Sequence, residues 1–245
     1  MHRHVTVVAV FAAALAATPA RAQSAAWTDR GYVNVSGWYQ AASASFTDIA
    51  RPVTFVEPAV VSTTYAVRAT PGFDLGAGVR VWRNLAIGVD VSRFSKSGAG
   101  SVAAQVPHPF YFNRARAVSG DASGLTRAET AIHAQAMWIA PLKPRWQLAV
   151  FGGPSWFMVK QDLVSDVTVT QTYPFDTAEF AGVASARRSA SHAGFNAGGD
   201  LEYMLRPRVG LGIGGVFSRA SVPLGDAVTV DAGGAHVGGG VRFRF

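Results

Sequence analysis

The sequence predicts an all-β protein: a single antiparallel transmembrane β-barrel of eight strands, with short periplasmic turns and long extracellular loops. Three observations lead to this fold: alternating apolar residues, connections that are short and long in turn, and a low content of charge. Only 15% of the 245 residues are charged and 49% are hydrophobic, whereas a soluble domain carries about 25% charged residues. The apolar residues nevertheless form no run of about 20, the length that a transmembrane helix needs.

The N-terminus has the pattern of a secretory signal. Arg3 supplies a positive charge, residues 5–17 form a short apolar segment, and Ala20 and Ala22 fit the A-x-A site of signal peptidase. The apolar segment is too short for an anchor helix, so we expect cleavage before Gln23. The predicted organisation is a signal peptide over residues 1–22 and one barrel domain over residues 23–245.

Eight segments alternate between apolar and polar residues, which is the period of a strand with two different faces. In residues 72–91, apolar side chains such as Phe73 and Leu75 alternate with polar ones on both sides of the Arg83-Asn84 turn, a hairpin signal. No charged residue falls on the apolar face in these registers. The predicted strands cover residues 31–40, 72–82, 85–91, 130–140, 146–158, 191–205, 209–217 and 235–245.

The connections between these segments alternate in length. Three are short, at residues 83–84, 143–145 and 206–208, and the other four are long, near residues 41–71, 95–129, 160–188 and 219–233. Short turns at one rim and long loops at the other are typical of outer-membrane barrels. A soluble β-sandwich is the alternative, but its strands usually have about 5–6 residues. Residues 52–68 leave open whether they add strands above the membrane or raise the ring to ten strands.

The last predicted strand ends on an aromatic residue. Phe245 follows Val237, Val241 and Phe243 at alternate positions, and this ending resembles the C-terminal signature of outer-membrane β-barrels. With its alternating strands, the sequence is similar to the outer-membrane β-barrel superfamily, which includes the barrel of outer membrane protein A and small porin-like proteins. The resemblance implies a place in the bacterial outer membrane, recognition by the barrel-assembly machinery, and contact with outer-membrane lipids and lipopolysaccharide.

Polar residues on the opposite strand faces predict a polar barrel interior. Acids and bases are nearly balanced there, which favours internal ion pairs over isolated buried charges, since the latter are costly. A narrow gated conduit is the alternative interpretation. We expect the repeated glycines Gly210, Gly212 and Gly214 to leave room inside the barrel. The candidate interior residues are Asp74, Arg80, Asp90, Asn196, Asp200, Glu202, Arg242 and Arg244.

Two groups of residues at the barrel ends are candidates for binding. Residues 106–112 are rich in aromatic side chains and precede Arg114 and Arg116, so this loop either contacts lipopolysaccharide or a host surface, or packs on itself. The short turns contain only basic charges, which fits attraction to anionic lipid or plain solvation. Those basic turn residues are Arg83, Lys143, Arg145, Arg206 and Arg208.

The sequence shows no arrangement typical of an enzyme, a metal site or a cofactor site. Cysteine is absent, and His108, His133, His192 and His236 lack metal-ligand spacing. Ser191 and His192 are adjacent on a strand and point to opposite faces. The net charge of +7 is interpreted as attraction to an anionic membrane surface and not to nucleic acid. We therefore predict a monomeric, non-enzymatic barrel without cofactor, with a structural and surface-interaction role; the alternative is a small porin-like diffusion channel.

Overall fold

The computed structural model of the chain describes residues 27–40, 44–67, 70–225 and 228–245. The predicted signal peptide and its cleavage site at Ala20, Ala22 and Gln23 lie outside these residues. Among the residues described, no helix is long and apolar enough to cross a membrane.

Strands make up nearly all of the regular structure of the described residues, and they follow one another with short connections. Several of them are much longer than the strands of an ordinary globular domain, which have about 5–6 residues. Their bounds are β1 Gly31–Gln40, β2 Ala44–Ala50, β3 Val53–Thr54, β4 Glu57–Pro58, β5 Val60–Val67, β6 Pro71–Trp82, β7 Leu85–Pro107, β8 Ala115–Lys143, β9 Trp146–Thr170, β10 Glu179–Arg206, β11 Val209–Pro223 and β12 Thr229–Arg244.

Eight of these strands close into an antiparallel ring, which confirms the predicted fold. The order around the ring is β1-β6-β7-β8-β9-β10-β11-β12, and β12 returns to pair with β1. The closing ladder runs from Tyr32 opposite Arg244 to Gln40 opposite His236. Below it, the backbone of Phe245 exchanges hydrogen bonds with that of Gly31. Closure gives each of these strands a partner on both sides, as a bilayer requires of its backbone groups.

The segment whose role the sequence left open lengthens the wall and adds no strand to the ring. β2 pairs with β5, and β5 pairs with β7 from Val60 opposite Gln105 to Tyr65 opposite Gly100. β6 pairs with the other end of β7, beginning at Phe73 opposite Arg93. The β2–β5 hairpin therefore stands above β6 along the same edge of β7, and the ring keeps eight strands.

The strands extend much further toward the long-loop rim than predicted. β7, β8, β9 and β10 contain 23, 29, 25 and 28 residues, although about 10 are enough to cross a bilayer. The backbone ladders continue beyond the segments in which the outward face is apolar. The actual connections are therefore residues 108–114, 171–178 and 224–228, in place of the predicted loops 95–129, 160–188 and 219–233.

An apolar belt covers the outside of the barrel next to the two-residue turns. Outward side chains there are exposed, among them Val79 at 54%, Val89 at 52% and Ile213 at 62%. An apolar band between aromatic margins is the surface that a barrel presents to lipid; we call this part the membrane section. The aromatic margins contain Trp82, Trp146, Phe243 and Phe245 near the turns and Tyr39, Phe73, Trp156, Phe195 and Phe217 on the other side.

Beyond the belt, the two faces of the strands exchange their character. On β7 the outward residues change from valine to Arg93, Ser95 and Ser97, and the buried inward residues become apolar. This part, the distal section, has the polar outside and apolar inside of a protein in water. Its core includes Val61, Tyr65, Val102, Ala104, Val106, Val118, Leu125, Phe157, Val159, Leu163, Val222 and Val230.

Candidate functional site

Two ion pairs cross the interior of the membrane section. Arg242 on β12 donates two hydrogen bonds to the carboxylate of Asp200 on β10, from Nε to Oδ2 at 2.6 Å and from Nη2 to Oδ1 at 3.0 Å. Nearer to the turn rim, Arg244 donates a hydrogen bond to the carboxylate of Glu202. All four residues are at least 94% buried. The charges are therefore compensated pairwise inside the barrel, as buried charges require.

Glycines on the intervening strand make room for these pairs. β11 lies between β10 and β12, and its Gly212 and Gly214 stand where side chains would enter the interior. A Cβ atom on Gly212 would lie 2.5 Å from Arg242 Nε and 2.6 Å from Asp200 Oδ2. Only a residue without a side chain fits at this position while the pair is formed.

The first strand also accepts a hydrogen bond from each arginine. Arg242 donates to Ser36 Oγ at 2.8 Å, and Arg244 donates to Asn34 Oδ1 at 3.3 Å. The Arg244 guanidinium also lies 5.2 Å from the centre of the Tyr32 ring, within the range of a cation–π contact. The interior pairs thus connect β10 and β12 to β1, across the seam where the barrel closes.

The other predicted interior residues lie around these pairs or apart from them. Asp74 and Asp90 line a small cavity of about 70 Å³ together with Asp200 and Arg242. Arg80 lies at the turn rim, where it donates a hydrogen bond to the backbone carbonyl of Trp27. The structure thus brings the two acids beside one ion pair and places Arg80 elsewhere.

A second polar chain in the interior was not found from the sequence. His133 contacts Ser92 Oγ through Nε2 at 3.1 Å and Ser155 Oγ through Nδ1 at 2.7 Å. Asn196 donates to Ser155 Oγ at 2.9 Å and accepts a bond from Gln135 at 3.1 Å. Each residue is an inward polar side chain, so its face could be read from the sequence, but the cross-strand registers that join them could not.

The Ser92–His133 contact has the distance of a nucleophile and its base. It lies, however, in the barrel interior, where His133 is only 4% exposed. The pair considered from the sequence, Ser191 and His192, consists of exposed residues on β10. The described residues contain no group of three or more side chains that could hold a metal ion.

The far end of the distal section is held together by Arg116. This residue was predicted as a possible contact for lipopolysaccharide, but it is buried, and burial lowers the pKa of its guanidinium. It donates to Gln171 Oε1 at 2.6 Å, to the Phe175 carbonyl at 3.0 Å and to the Pro107 carbonyl at 2.8 Å. Arg116 therefore joins the β7–β8 and β9–β10 connections and is not free to bind a partner.

Exposed apolar side chains gather on these connections. Phe110, Tyr111 and Phe112 are 66%, 57% and 74% exposed, and Tyr173 is 80% exposed. The β3–β4 hairpin is attached to them because the Asn113 amide donates to Glu57 at 2.9 Å. We call this surface the distal tip; it comprises Val53, Phe55, Val56, Phe110, Tyr111, Phe112 and Tyr173.

A basic collar follows the apolar belt on the outside of the distal section. It comprises the exposed side chains of Arg93, Lys160, Arg187 and Arg219. Two of them also contact acids: Arg187 lies 2.8 Å from Asp162, and Arg219 lies 3.0 Å from Asp231. Hydrogen bonds from Arg187 hold the pKa of Asp162 below its ordinary value.

The closed ring, the apolar belt with aromatic margins and the polar interior occur together. The chain has the fold of an outer-membrane β-barrel. It is similar to the solved structures of Neisserial surface protein A (14% identity, 88% of this chain and 97% of that one, TM-score 0.46) and of OprG from Pseudomonas aeruginosa (9% identity, 89% and 96%, TM-score 0.45). The protease OmpT from Escherichia coli is also similar (7% identity, 90% and 98%, TM-score 0.42). No family model and no curated protein matches the sequence.

Proposed function

We propose that the chain is a non-enzymatic integral protein of the bacterial outer membrane with a structural and surface-interaction role. The observation that carries this proposal is the exchange of inside and outside between the two sections. The membrane section suits lipid, whereas the distal section suits water and is filled by its own apolar core. The distal section thereby forms a projection with a packed core above the membrane.

The same core speaks against the alternative, a small diffusion channel. A channel needs a continuous polar path, and the observation in its favour is the 70 Å³ cavity lined by Asp74, Asp90 and Asp200. Above that cavity, the interior contains fully buried apolar side chains such as Val61, Phe157 and Val159. An ion would have to lose its hydration among them, which is costly.

The position of the Ser92–His133 pair supports a non-enzymatic role. A hydrolase of lipid or protein must bring its substrate to the nucleophile. The cavity that His133 lines has a volume of about 70 Å³, which is less than half of the roughly 150 Å³ of an engineered cavity that holds benzene. We therefore assign the pair to the internal hydrogen bonding of the barrel.

Lipopolysaccharide is the partner that the basic collar fits. Arg93 and Lys160 follow the outer aromatic margin of the belt, where we expect the phosphates of the outer leaflet. Arginine and lysine bind phosphate through charge-assisted hydrogen bonds. For assembly, we expect the barrel-assembly machinery to recognise the outward residues at the C-terminal end of the chain, which are Val237, Val241 and Phe243 of β12 and Phe245 after it.

The distal tip is the surface that we propose for contact with partners outside the cell. Its exposed aromatic and aliphatic side chains form a patch, and apolar patches on soluble surfaces commonly mark interaction sites. Arg116 keeps the underlying loops in place, so the patch is presented on a fixed support.

Single-cysteine labelling tests the location and orientation together, because the chain has no cysteine of its own. In intact cells, a membrane-impermeant maleimide should label Phe112→Cys at the distal tip. It should label Arg208→Cys in a turn only after the outer membrane is permeabilised. Both proteins should be recovered in the outer-membrane fraction and should migrate differently on gels before and after boiling.

The control is the cysteine-free wild type, which should take up no label. Labelling of Arg208→Cys but not of Phe112→Cys in intact cells would reverse the orientation. Recovery of both variants in the periplasm, with no change in migration on boiling, would overturn the membrane assignment.

A further inference from the structure

Two neighbouring turns at the turn rim carry a group of basic side chains. The β8–β9 turn comprises Pro144 and Arg145, and the β10–β11 turn comprises Pro207 and Arg208. The Met204 amide donates a hydrogen bond to the Arg145 carbonyl at 2.7 Å, which holds the first turn against the end of β10. We call the exposed bases in and next to these turns the basic cluster; it comprises Lys143, Arg145, Arg206 and Arg208.

No acidic side chain of the described residues forms an ion pair with the basic cluster. Glu202, on the same strand as part of the cluster, is buried and pairs with Arg244. Asp29 at the same rim accepts a hydrogen bond from Trp27 Nε1 at 2.9 Å. Residues 1–26 contain no aspartate or glutamate in their sequence. The positive charge of the cluster therefore favours an anion from outside the chain.

Apolar side chains lie next to the basic cluster. Trp146 and Tyr203 are opposite one another on β9 and β10, and their ring centres are 4.9 Å apart. Arg145 Nη1 donates to the Tyr203 hydroxyl at 3.4 Å, so one guanidinium lies beside this pair of rings. Leu142, Trp146 and Leu205 are exposed, and each is the chain neighbour of a base or of a turn. The surface thus changes from basic to apolar between neighbouring residues.

We propose that the basic cluster, together with Trp146 and Tyr203, is a binding site for an anionic phospholipid of the periplasmic leaflet, such as phosphatidylglycerol. The lipid phosphate accepts charge-assisted hydrogen bonds from Arg145 and Arg206, and its acyl chains cover the exposed apolar side chains. Tyrosine and tryptophan suit the level between them, because each has an apolar ring and a polar atom. The site presupposes the proposed orientation in the outer membrane, with the turns at the periplasmic leaflet.

The apolar neighbours favour a phospholipid over a soluble anion. A phospholipid contacts the bases and the apolar side chains with one molecule, whereas free phosphate or a cell-wall polymer meets only the bases, where exposed ion pairs contribute little. A zwitterionic lipid would bring the cation of its headgroup among the bases, which is unfavourable. The β6–β7 turn offers a weaker site, because it contains the single base Arg83, whose guanidinium lies 5.2 Å from the centre of the Trp82 ring.

Native mass spectrometry of the full-length protein, refolded in detergent micelles, tests the site with phosphatidylglycerol and phosphatidylcholine of the same acyl chains. We expect phosphatidylglycerol to bind about tenfold more tightly, because bases near the membrane surface attract anionic lipid. Glycerol phosphate at the same concentration, which has the phosphate without the chains, should not displace the bound lipid. Equal binding of the two lipids would overturn the proposal, and displacement by glycerol phosphate would assign the cluster to a soluble anion.

Variants then locate the binding. The double variant Arg145→Gln/Arg206→Gln should reduce the preference for phosphatidylglycerol to about twofold or less. Arg83→Gln is the matched control at the same rim, and Lys160→Gln is the control in the basic collar; both should keep the preference. Trp146→Ala should weaken the binding of both lipids, because its ring contacts the chains that they share. A preference retained in the double variant, or lost in either control, would place the lipid elsewhere.

The gel shift on boiling shows separately whether each protein is a folded barrel. Loss of the lipid preference in the double variant counts only with an intact shift. If the wild type shows the shift but no preference for phosphatidylglycerol, the lipid site is wrong and the membrane assignment stands. If the wild type shows no shift, the membrane assignment itself fails.

Discussion

Asp200 and Arg242 form a bidentate ion pair over the backbone of a strand that lies between them. The pair joins β10 to β12, and Gly212 and Gly214 of β11 supply the space. The usual cross-strand pair links adjacent strands, whereas this one links second neighbours through the barrel interior. Its geometry therefore depends on residues that carry no charge.

A side chain at position 212 should break this pair. In Gly212→Val, the new Cβ would lie 2.5 Å from Arg242 Nε, so the arginine would have to leave the carboxylate. We expect the free energy of unfolding to fall by about 3 kcal/mol, the usual effect of breaking a buried pair. A urea titration measures this free energy, with the folded fraction at each urea concentration determined from the gel shift between unboiled and boiled samples. Gly215 lies on the lipid-facing side of the same strand, and a Cβ atom there would lie 3.5 Å from its nearest neighbour. Gly215→Val should therefore change the free energy of unfolding little, and equal losses in the two variants would contradict the explanation.

Removal of both partners of the pair should cost less stability than the two single removals added together. Arg242→Met leaves the Asp200 carboxylate buried and unpaired, and Asp200→Leu does the same to the guanidinium, so each should destabilise the barrel by about 3–5 kcal/mol. The double variant should lose clearly less than the sum of the single losses. Unfolding in urea provides all three values. Strict additivity would mean that the two side chains do not interact in the bilayer.

The reconstituted protein should not conduct ions. The apolar core of the distal section, in which Phe157 and Val159 are fully buried, opposes the passage of a hydrated ion above the polar cavity. Recording in planar bilayers should therefore show no unitary conductance steps above the background of protein-free membranes. Reproducible steps from a sample whose folding is verified by its gel shift would favour the channel alternative.

Loss of Arg116 should loosen the distal tip without unfolding the barrel. Arg116→Ala removes the bonds to Gln171 and to the Phe175 and Pro107 carbonyls. We expect faster proteolysis within residues 108–114 and 171–178 on intact cells, with an unchanged gel shift. Arg114→Ala is the matched control, because Arg114 is exposed and contacts Asp176 only at the surface. Similar cleavage of the two variants would remove the special role of Arg116.

Asp162 should titrate below the usual range of an aspartate. Its pKa is lowered mainly by hydrogen bonds from Arg187, with help from the Thr126 amide. The associated stabilisation is present above the unfolded pKa of about 3.9 and is lost as the pH falls through the lower folded value. Carboxyl carbon NMR should show this pKa rise in Arg187→Gln. An unchanged pKa would assign the whole effect to Thr126.

The membrane section was predictable because a lipid-facing strand has a simple pattern. Each outward position from Phe73 to Val91 is apolar or small, and the opposite face contains the charges, so alternation defines both the strand and its orientation. The even number of strands and the places of the three short turns followed from the same pattern, although two of these turns have two residues in place of the predicted three. The outward residues Val79, Val89 and Ile213 are accordingly exposed in the structure.

The distal section was not predictable from the same pattern. Residues 93–101 of β7 continue the alternation, but here the apolar residues lie on the inward face. The serines and glycines of this segment are also typical of a loop. The role of Arg116 was also hidden, since its main partner Gln171 lies 55 residues away along the chain. Likewise, the series of hydrogen bonds from Ser92 through His133 and Ser155 to Asn196 depends on the registers between four strands, and no local signal determines these registers.

The exchange of faces along β7 also fixes the vertical position of the protein. If the barrel moved outward by one pair of residues, large apolar side chains such as Val91 would enter water. If it moved inward by the same amount, Arg93 would enter the edge of the hydrocarbon, where a lipid-facing arginine costs up to about 1 kcal/mol, and this cost rises with depth. Lys160 on β9 and Arg219 on β11 repeat this constraint, so the barrel has one preferred immersion depth, and the height of its outermost loops above the lipid is determined with it.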